Sequence, residues 1–291
     1  TQDQIAAEMG ISRQRAQRLV ARAVSDGLIR VRLEHPISAC LDLERQLRNR
    51  FGLTQARVAP GLGQGVDPVR AIAPIAAAEL ERIFAEPAPL IIALGTGRTL
   101  RAAVDEMQIM DCARHKVVSL IGNVAPDGSA SFFEVIMRIA DKTNTPHYPM
   151  AVPVVAKDEA DRAHYHALPH VQNTRELASR ADYTIVGVGQ LGPDAPLLKD
   201  GFVSATEMSA LGANGGIGEL AGWAFDSDGR YLESGINRVV CGVQVPQNAN
   251  PVLCIGAGFS KRAPLLAALK GKLISGLITD EPTAIWLLDQ D

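Results

Sequence analysis

The chain has 291 residues, 47% of them hydrophobic, and a formal net charge of −3. That is enough for a packed core and favours two domains over one, and the slight acidity excludes bulk attraction to nucleic acid but not a local basic patch. No apolar run approaches the ~18 residues of a membrane span, and Thr1 opens neither a charged leader nor an apolar segment. A cytoplasmic chain without a membrane partner is therefore expected, its first residue marking a trimmed or incomplete N-terminus. Cys40, Cys112, Cys241 and Cys254 show no CxxC spacing and read as reduced, buried thiols.

The opening "TQDQIAAEMGIS" fits a short helix. Thr1 and Gln4 match a capping box, Ile5 and Met9 share a face, Gly10 ends the helix and Ser12 caps the next. Ala16, Leu19, Val20 and Ala23 then recur as an inward stripe, which leaves Arg13, Gln14, Gln17 and Arg18 pointing outward. Between Ser12 and Arg32 lie six arginines against one acid, Asp26. A helix, a three-residue turn and a second helix exposing Arg and Gln near its start make a helix-turn-helix. Arginine pairs with guanine, glutamine with adenine, and both reach phosphates. Ser12, Arg13, Gln14, Gln17 and Arg18 are the candidate DNA-reading residues. "GLIRVRLEHP" alternates Ile29, Val31 and Leu33 with Arg30 and Arg32, as a wing strand would. The plain alternative is a helical hairpin with a solvated basic face. The first helix of a three-helix unit would lie upstream of Thr1.

Residues 39–51 form an amphipathic helix with Cys40, Leu43, Leu47 and Phe51 at near-heptad spacing, suited either to pairing subunits or to packing on its own domain. "PGLGQGVDP", residues 60–68, is a turn-rich boundary. Strands are then expected at 56–59, 90–94, 117–121, 150–155, 183–188, 239–243, 252–255 and 273–278, with helices at 69–84, 98–107 and 261–269. Several of these strands are nearly all apolar, which is the mark of a parallel sheet covered on both faces. The expected class is α/β: a doubly wound, mostly parallel sheet with a small N-terminal winged helix-turn-helix. The expected domains are residues 1–35, a linker helix over 36–55 and an effector domain over 56–291.

A doubly wound sheet binds ligands at the carboxyl ends of its strands. The polar residues that follow strands are therefore the candidates. "IIALGTGRTLRAAV" runs from an apolar strand through Gly95, Thr96, Gly97, Arg98 and Thr99 into a helix. Such a turn presents unpaired N–H groups and a helix dipole to an anion. Asn123, Gln190 and Glu219 follow later strands and suit hydroxyl groups. Gly258 and Lys261, in "IGAGFSKR", add a second glycine turn and a cation. Together they describe a pocket for a sugar phosphate, sugar or polyol.

Other ligands fit less well. No GxxxxGK[ST] pattern occurs at Gly95. "GVGQLG" at Gly187–Gly192 matches GxGxxG, but Pro193 and further turn residues follow where a dinucleotide site needs a helix. His164, His166 and His170 invite zinc, yet their spacing, broken by Pro169, does not put three imidazoles on one helix face. No metal and no cofactor is expected. An isomerase would need a carboxylate base and a lysine near the substrate carbon, which Glu219 and Lys261 supply in type. Binding a polyol needs the same side chains, and an enzyme has little use for an arginine-lined helix-turn-helix. A regulator is the preferred reading and a sugar-phosphate isomerase or deaminase the alternative.

The helix-turn-helix segment, the loop "GTGRT", the stretch "GGIGELAGWAFDSDG" and the closing run "IGAGFSKRAPLLAALKGKLISGLITDEPTAIWLL" resemble the SorC-type bacterial regulators of sugar catabolism over nearly the whole chain. The resemblance implies a winged helix-turn-helix joined to an effector domain similar to sugar-phosphate isomerases and glucosamine-phosphate deaminases. It further implies tetramers that bind operator DNA and respond to a sugar or sugar phosphate. Gly95–Thr99, Glu219, Gly258 and Lys261 fall on positions that the resemblance assigns to effector contact. The chain departs at Asn123, where phosphosugar-binding relatives carry an arginine nearby. Lys157 lies near the place where one branch forms a Schiff base.

Overall fold

The computed structural model describes residues 2–25, 38–124, 128, 135–246 and 250–290. The expected wing residues Ile29, Val31 and Leu33, and the capping residue Thr1, lie outside them. The chain divides into a unit over residues 1–35 and a unit over 36–291.

In the small unit, α1 (Gln2–Glu8) and α2 (Arg13–Ser25) are joined at Gly10, whose φ of 61° ends the first helix. The Ser12 hydroxyl accepts from the Arg15 N–H at 3.3 Å, an N-cap hydrogen bond. Small Ala6 and Ala16 are buried where the helices meet, and Arg13 pairs with Asp3 at 3.3 Å. The expected inward stripe is narrower than its pattern: Ala16 is buried and Val20 half-buried, but Leu19 is exposed. Ile5 and Met9 are exposed too, and Met9 lies past the end of α1. Two short helices enclose too little volume to cover every apolar residue of their facing sides.

The larger unit opens with α3 (Ser38–Phe51), β1 (Gln55–Ala59) and α4 (Val69–Phe84). It continues through β2 (Ile91–Leu94), α5 (Arg98–Glu106), β3 (Lys116–Val124), α6 (Val135–Thr143), β4 (His147–Pro153), α7 (Glu159–Ala167), α8 (Pro169–Ser179) and β5 (Tyr183–Val186). A three-stranded antiparallel sheet follows, β6 (Gly189–Gln190), β7 (Gly218–Leu220) and β8 (Trp223–Phe225). The helices α9 (Pro196–Lys199) and α10 (Ala205–Ala213) are inserted between β6 and β7. The chain ends with β9 (Val252–Ile255), α11 (Arg262–Lys270), β10 (Gly276–Asp280) and α12 (Glu281–Leu288).

Seven strands pair in parallel in the order β1-β10-β9-β5-β2-β3-β4. The inner strands β2 and β9 are apolar and almost wholly buried, because helices cover both faces. One core joins Ile72, Leu80, Leu100, Val104 and Ile139 of α4, α5 and α6 to the sheet, and the other joins Leu47, Ala178, Leu265 and Leu287 of α3, α8, α11 and α12. From β2 the chain steps outward to β3 and β4, then returns to β5 on the opposite side of β2. The strand order therefore reverses between β2 and β5, and that crevice is where such a sheet takes its ligand.

Residues 239–243 are not a strand of either sheet. It forms one antiparallel bridge, Val155 with Val240, and the Val243 N–H donates to the Leu120 carbonyl of β3 at 2.7 Å. The carbonyls of Val240, Cys241 and Gly242 are met by side chains of α7 and α8: Arg162 Nε at 2.8 Å, His166 Nε2 at 2.9 Å and Arg175 Nη1 at 3.4 Å. The segment has the apolar texture of a strand without a ladder to join. Helix α3 uses its near-heptad seam locally. Cys40 and Leu47 are buried, Leu43 and Phe51 pack on the same core, and the buried Glu44 carboxylate accepts from the Val58 N–H at 3.1 Å. All four cysteines are buried.

His115 is fully buried. Its Nδ1 accepts from the Leu90 N–H at 3.0 Å, and its Nε2 lies 3.0 Å from the Phe84 carbonyl. These two partners require the neutral ring with the proton on Nε2. Burial, the largest influence, depresses the ring's pKa, partly offset by the Phe84 carbonyl. A depressed folded-state pKa contributes stability that is present above the unfolded value near 6.5 and is lost as pH falls below it, by at most about 1.4 kcal/mol per pH unit. Urea midpoints measured at pH 7.5 and 5.5 should therefore fall further in the parent than in His115→Gln.

Candidate functional site

At the carboxyl ends of β2, β5 and β9 lies a cavity of about 770 Å³. Two glycine turns build one wall. Gly97 (φ 119°, ψ 166°) precedes α5, and Gly258 (φ 97°, ψ 164°) precedes a 3-10 turn, Phe259–Lys261, that leads into α11. Both positions have a positive φ that only glycine adopts easily, and no side chain caps either helical start. First-turn N–H groups are thus left to other partners, which is the standard anion-binding situation. Residues Gly95 to Leu100 line the cavity continuously, and Ala257 to Lys261 face it from the second turn.

Glu219 on β7 forms part of the same wall. Its carboxylate Oε2 accepts from the Gly222 N–H at 2.7 Å, and it lies against Gly189, its register partner on β6. A Cβ at residue 189 would overlap the carboxylate. Burial, the main influence, raises the Glu219 pKa, while the Gly222 N–H and Lys261 oppose the rise. Lys261 is half-buried, and its Nζ donates to Gln190 Oε1. Burial lowers its pKa, Glu219 raises it and Arg98 lowers it further. An acid and an amine whose charged forms are both disfavoured by burial thus face one space beside two uncapped turns. The arrangement suits a ligand bearing hydroxyls and an anionic group.

Of the candidate residues, Gly95, Thr96, Gly97, Arg98, Thr99, Glu219, Gly258 and Lys261 line this cavity. Asn123 does not. It borders a much smaller pocket behind Thr96, with Ser119 and Gly122. Gln190 does not line it either: it stands behind Lys261, and its Nε2 donates to the Asp194 carbonyl at 3.2 Å. The structure adds lining residues that the strand-end rule missed. Asp67 and Pro68 come from the turn before α4, and Lys199, Asp200 and Phe202 come from the α9 segment. "GVDP" offered a signal, an acid and a proline just ahead of a helix, whereas the α9 segment reaches the cavity only through tertiary packing of Leu197 and Val203 on a satellite core. Lys157 is exposed and outside the cavity. Among the described residues no group of His, Cys, Asp and Glu could hold a metal, and no helix is long and apolar enough to cross a membrane. In the small unit Ser12, Arg13, Gln14, Gln17 and Arg18 are all exposed on or before α2.

An α/β sheet with a crevice lined by two glycine turns, Glu219 and Lys261, preceded by a two-helix unit with an exposed Arg/Gln face, is the architecture of a ligand-responsive regulator. Residues 35–289 match the family model described as "Putative sugar-binding domain". The erythritol catabolism regulatory protein EryD of Brucella abortus is 33% identical over 291 residues, 100% of this chain and 92% of that protein. The transcriptional regulator LsrR of Klebsiella pneumoniae is 28% identical, over 98% of this chain and 87% of that one. Among solved structures, the full-length sorbitol operon regulator SorC from Klebsiella pneumoniae superposes with a TM-score of 0.79 at 25% identity, covering 99% of this chain and 94% of that one. The chain belongs to this sugar-binding-domain family of SorC/DeoR-type transcriptional regulators. It is a regulator of carbohydrate-operon type, with DNA and a sugar-type effector as its partners.

Proposed function

We propose that the cavity at the carboxyl ends of β2, β5 and β9 is the effector site, and that it takes a short polyol or sugar, free or as its monophosphate. The observation that carries this reading is the convergence of two uncapped glycine turns, Glu219 and Lys261 on one space. Similarity to a protein named for erythritol catabolism makes a tetritol and its monophosphate the first ligands to test. The protein binds its effector without converting it, so incubation with phosphosugars yields no isomerised or deaminated product. It acts in the cytoplasm as a homotetramer, because one helix-turn-helix covers too little DNA for high specificity and symmetry-related copies supply the remaining half-sites.

On this reading Ser12, Arg13, Gln14, Gln17 and Arg18 contact the operator. Effector binding shifts the protein between arrangements that fit the operator well and poorly. The test is a gel shift on the upstream region of the protein's own operon, with sedimentation to count copies. Arg18 is exposed on α2, away from buried Ala16. Arg18→Ala should weaken operator binding by about tenfold, the worth of one base or phosphate contact, with fold and copy number unchanged. A parental gel shift in this variant removes Arg18 from the interface.

A further inference from the structure

Lys261 brings a positive charge into the cavity wall, yet the group its ammonium touches is not an acid. Its hydrogen-bond acceptor is the neutral amide oxygen of Gln190. Among the described residues Lys261 forms no ion pair within 4.0 Å, and Glu219 is oriented instead on the Gly222 N–H. An amide dipole returns only part of the hydration that a half-buried ammonium has lost. A carboxylate or phosphate returns much more.

Gln190 is itself held in place. It lies on β6, next to Gly189, and its Nε2 donates to the Asp194 carbonyl at 3.2 Å. That hydrogen bond fixes which end of the amide faces Lys261: the nitrogen is taken, so the oxygen points to the ammonium. Asp194 is tied in turn to Lys199 at 2.8 Å, at the end of α9. Gln190 therefore reaches the ammonium from outside the cavity, while Lys261 faces the cavity.

We infer that Gln190 sets the charge selectivity of the effector site: it positions the Lys261 ammonium with a neutral group, so that the charge stays available to an anionic group of the ligand. The inference rests on the effector reading of the cavity. A glutamate at 190 would have nearly the same shape and would supply a permanent counter-ion. The site would then lose the part of its preference for an anionic ligand that Lys261 supplies, while the glycine turns stay open to an anion and Glu219 to hydroxyls. Gln190 is a positioning residue, acting through Lys261.

Titration calorimetry of the full chain with a tetritol, its monophosphate and inorganic phosphate tests this, in the parent, Gln190→Glu, Gln190→Met and Lys261→Ala. In the parent the monophosphate binds more tightly than the tetritol. Gln190→Glu should weaken monophosphate and inorganic phosphate by on the order of a hundredfold, while tetritol affinity stays within about twofold. Gln190→Met removes the tether without adding charge, so monophosphate affinity should fall by only about two- to tenfold. It also serves if the glutamate variant misfolds. The ratio of the two affinities is the readout that a merely structural residue would not move. Equal losses for tetritol and monophosphate in Gln190→Glu overturn the inference, as does parental phosphate binding in that variant or a parent that prefers the tetritol. If Lys261→Ala binds every ligand like the parent, the cavity reading fails and this inference with it.

Discussion

Replacing Gly189 with alanine is expected to remove most of the effector affinity while leaving the fold standing. The new methyl group would enter the space of the Glu219 carboxylate across the β6–β7 pair. Gly189 has no positive φ, so alanine itself is not strained, and the conflict falls on the side chain opposite. Glu219 must rotate away, giving up the Gly222 N–H at 2.7 Å and its place in the cavity wall. Hydrogen bonds from ligand hydroxyls to a carboxylate contribute about 1.5–3 kcal/mol each, so the loss should be about ten- to a hundredfold in Kd. Thermal melting separates this from a folding defect, and Glu219→Gln provides the companion that keeps the shape and drops the charge. If Gly189→Ala and the parent titrate alike with the effector, Glu219 takes no part in binding.

Thr99→Asp should act still more strongly on an anionic effector. Thr99 lies in the first turn of α5, just after Gly97, and lines the cavity. An aspartate there places a negative charge where the ligand's own would sit. Repulsion at a partly desolvated helix start should cost on the order of a hundredfold or more in affinity. The fold should tolerate the change, since acids are favourable in the first turn of a helix. Operator binding should persist and no longer respond to effector. An unchanged effector titration would make the Gly95–Thr99 turn structural and move the anion elsewhere.

The sequence was most legible where pattern and punctuation agreed. Helix α4 spans the expected 69–84, and β9 the expected 252–255. The first lies between a proline and an acidic, alanine-ended turn; the second lies between a proline and a glycine turn. At 239–243 the apolar texture misled, because a strand is defined by its partners, and here side chains of α7 and α8 took the carbonyls. The expected strand 273–278 starts only at Gly276, after the turn that closes α11. The expected helix start at Lys261 is the end of a 3-10 turn, forced by the positive φ of Gly258.

For the site, following strands to their ends located the turns but not the direction of each side chain. Gly189 and Gln190 are neighbours on β6, and successive residues of a strand point to opposite sides. One lines the cavity and the other stands behind it. Asn123, near the end of β3, is turned toward the smaller pocket for lack of the same information. The contribution of α9 follows from how an insertion folds back, which no local pattern encodes.

The order of the sheet also bears on how the protein is made. Strand β1 has β10 as its neighbour, and the hydroxyl of Thr54 donates to the Ser275 carbonyl, 221 residues further on. At about 5–20 residues per second, synthesis leaves β1 without that neighbour for ten seconds or more. Helix α3 packs on α12 as well as on β1, so it waits too. The strands β2, β3, β4 and β5 can assemble during that interval, whereas the segment that leads from the helix-turn-helix docks only when the last helix has left the ribosome. Trimming Glu281–Leu288 should therefore release the beginning of the large unit, and until β9 is added the partly assembled sheet presents β5 as an unpaired edge.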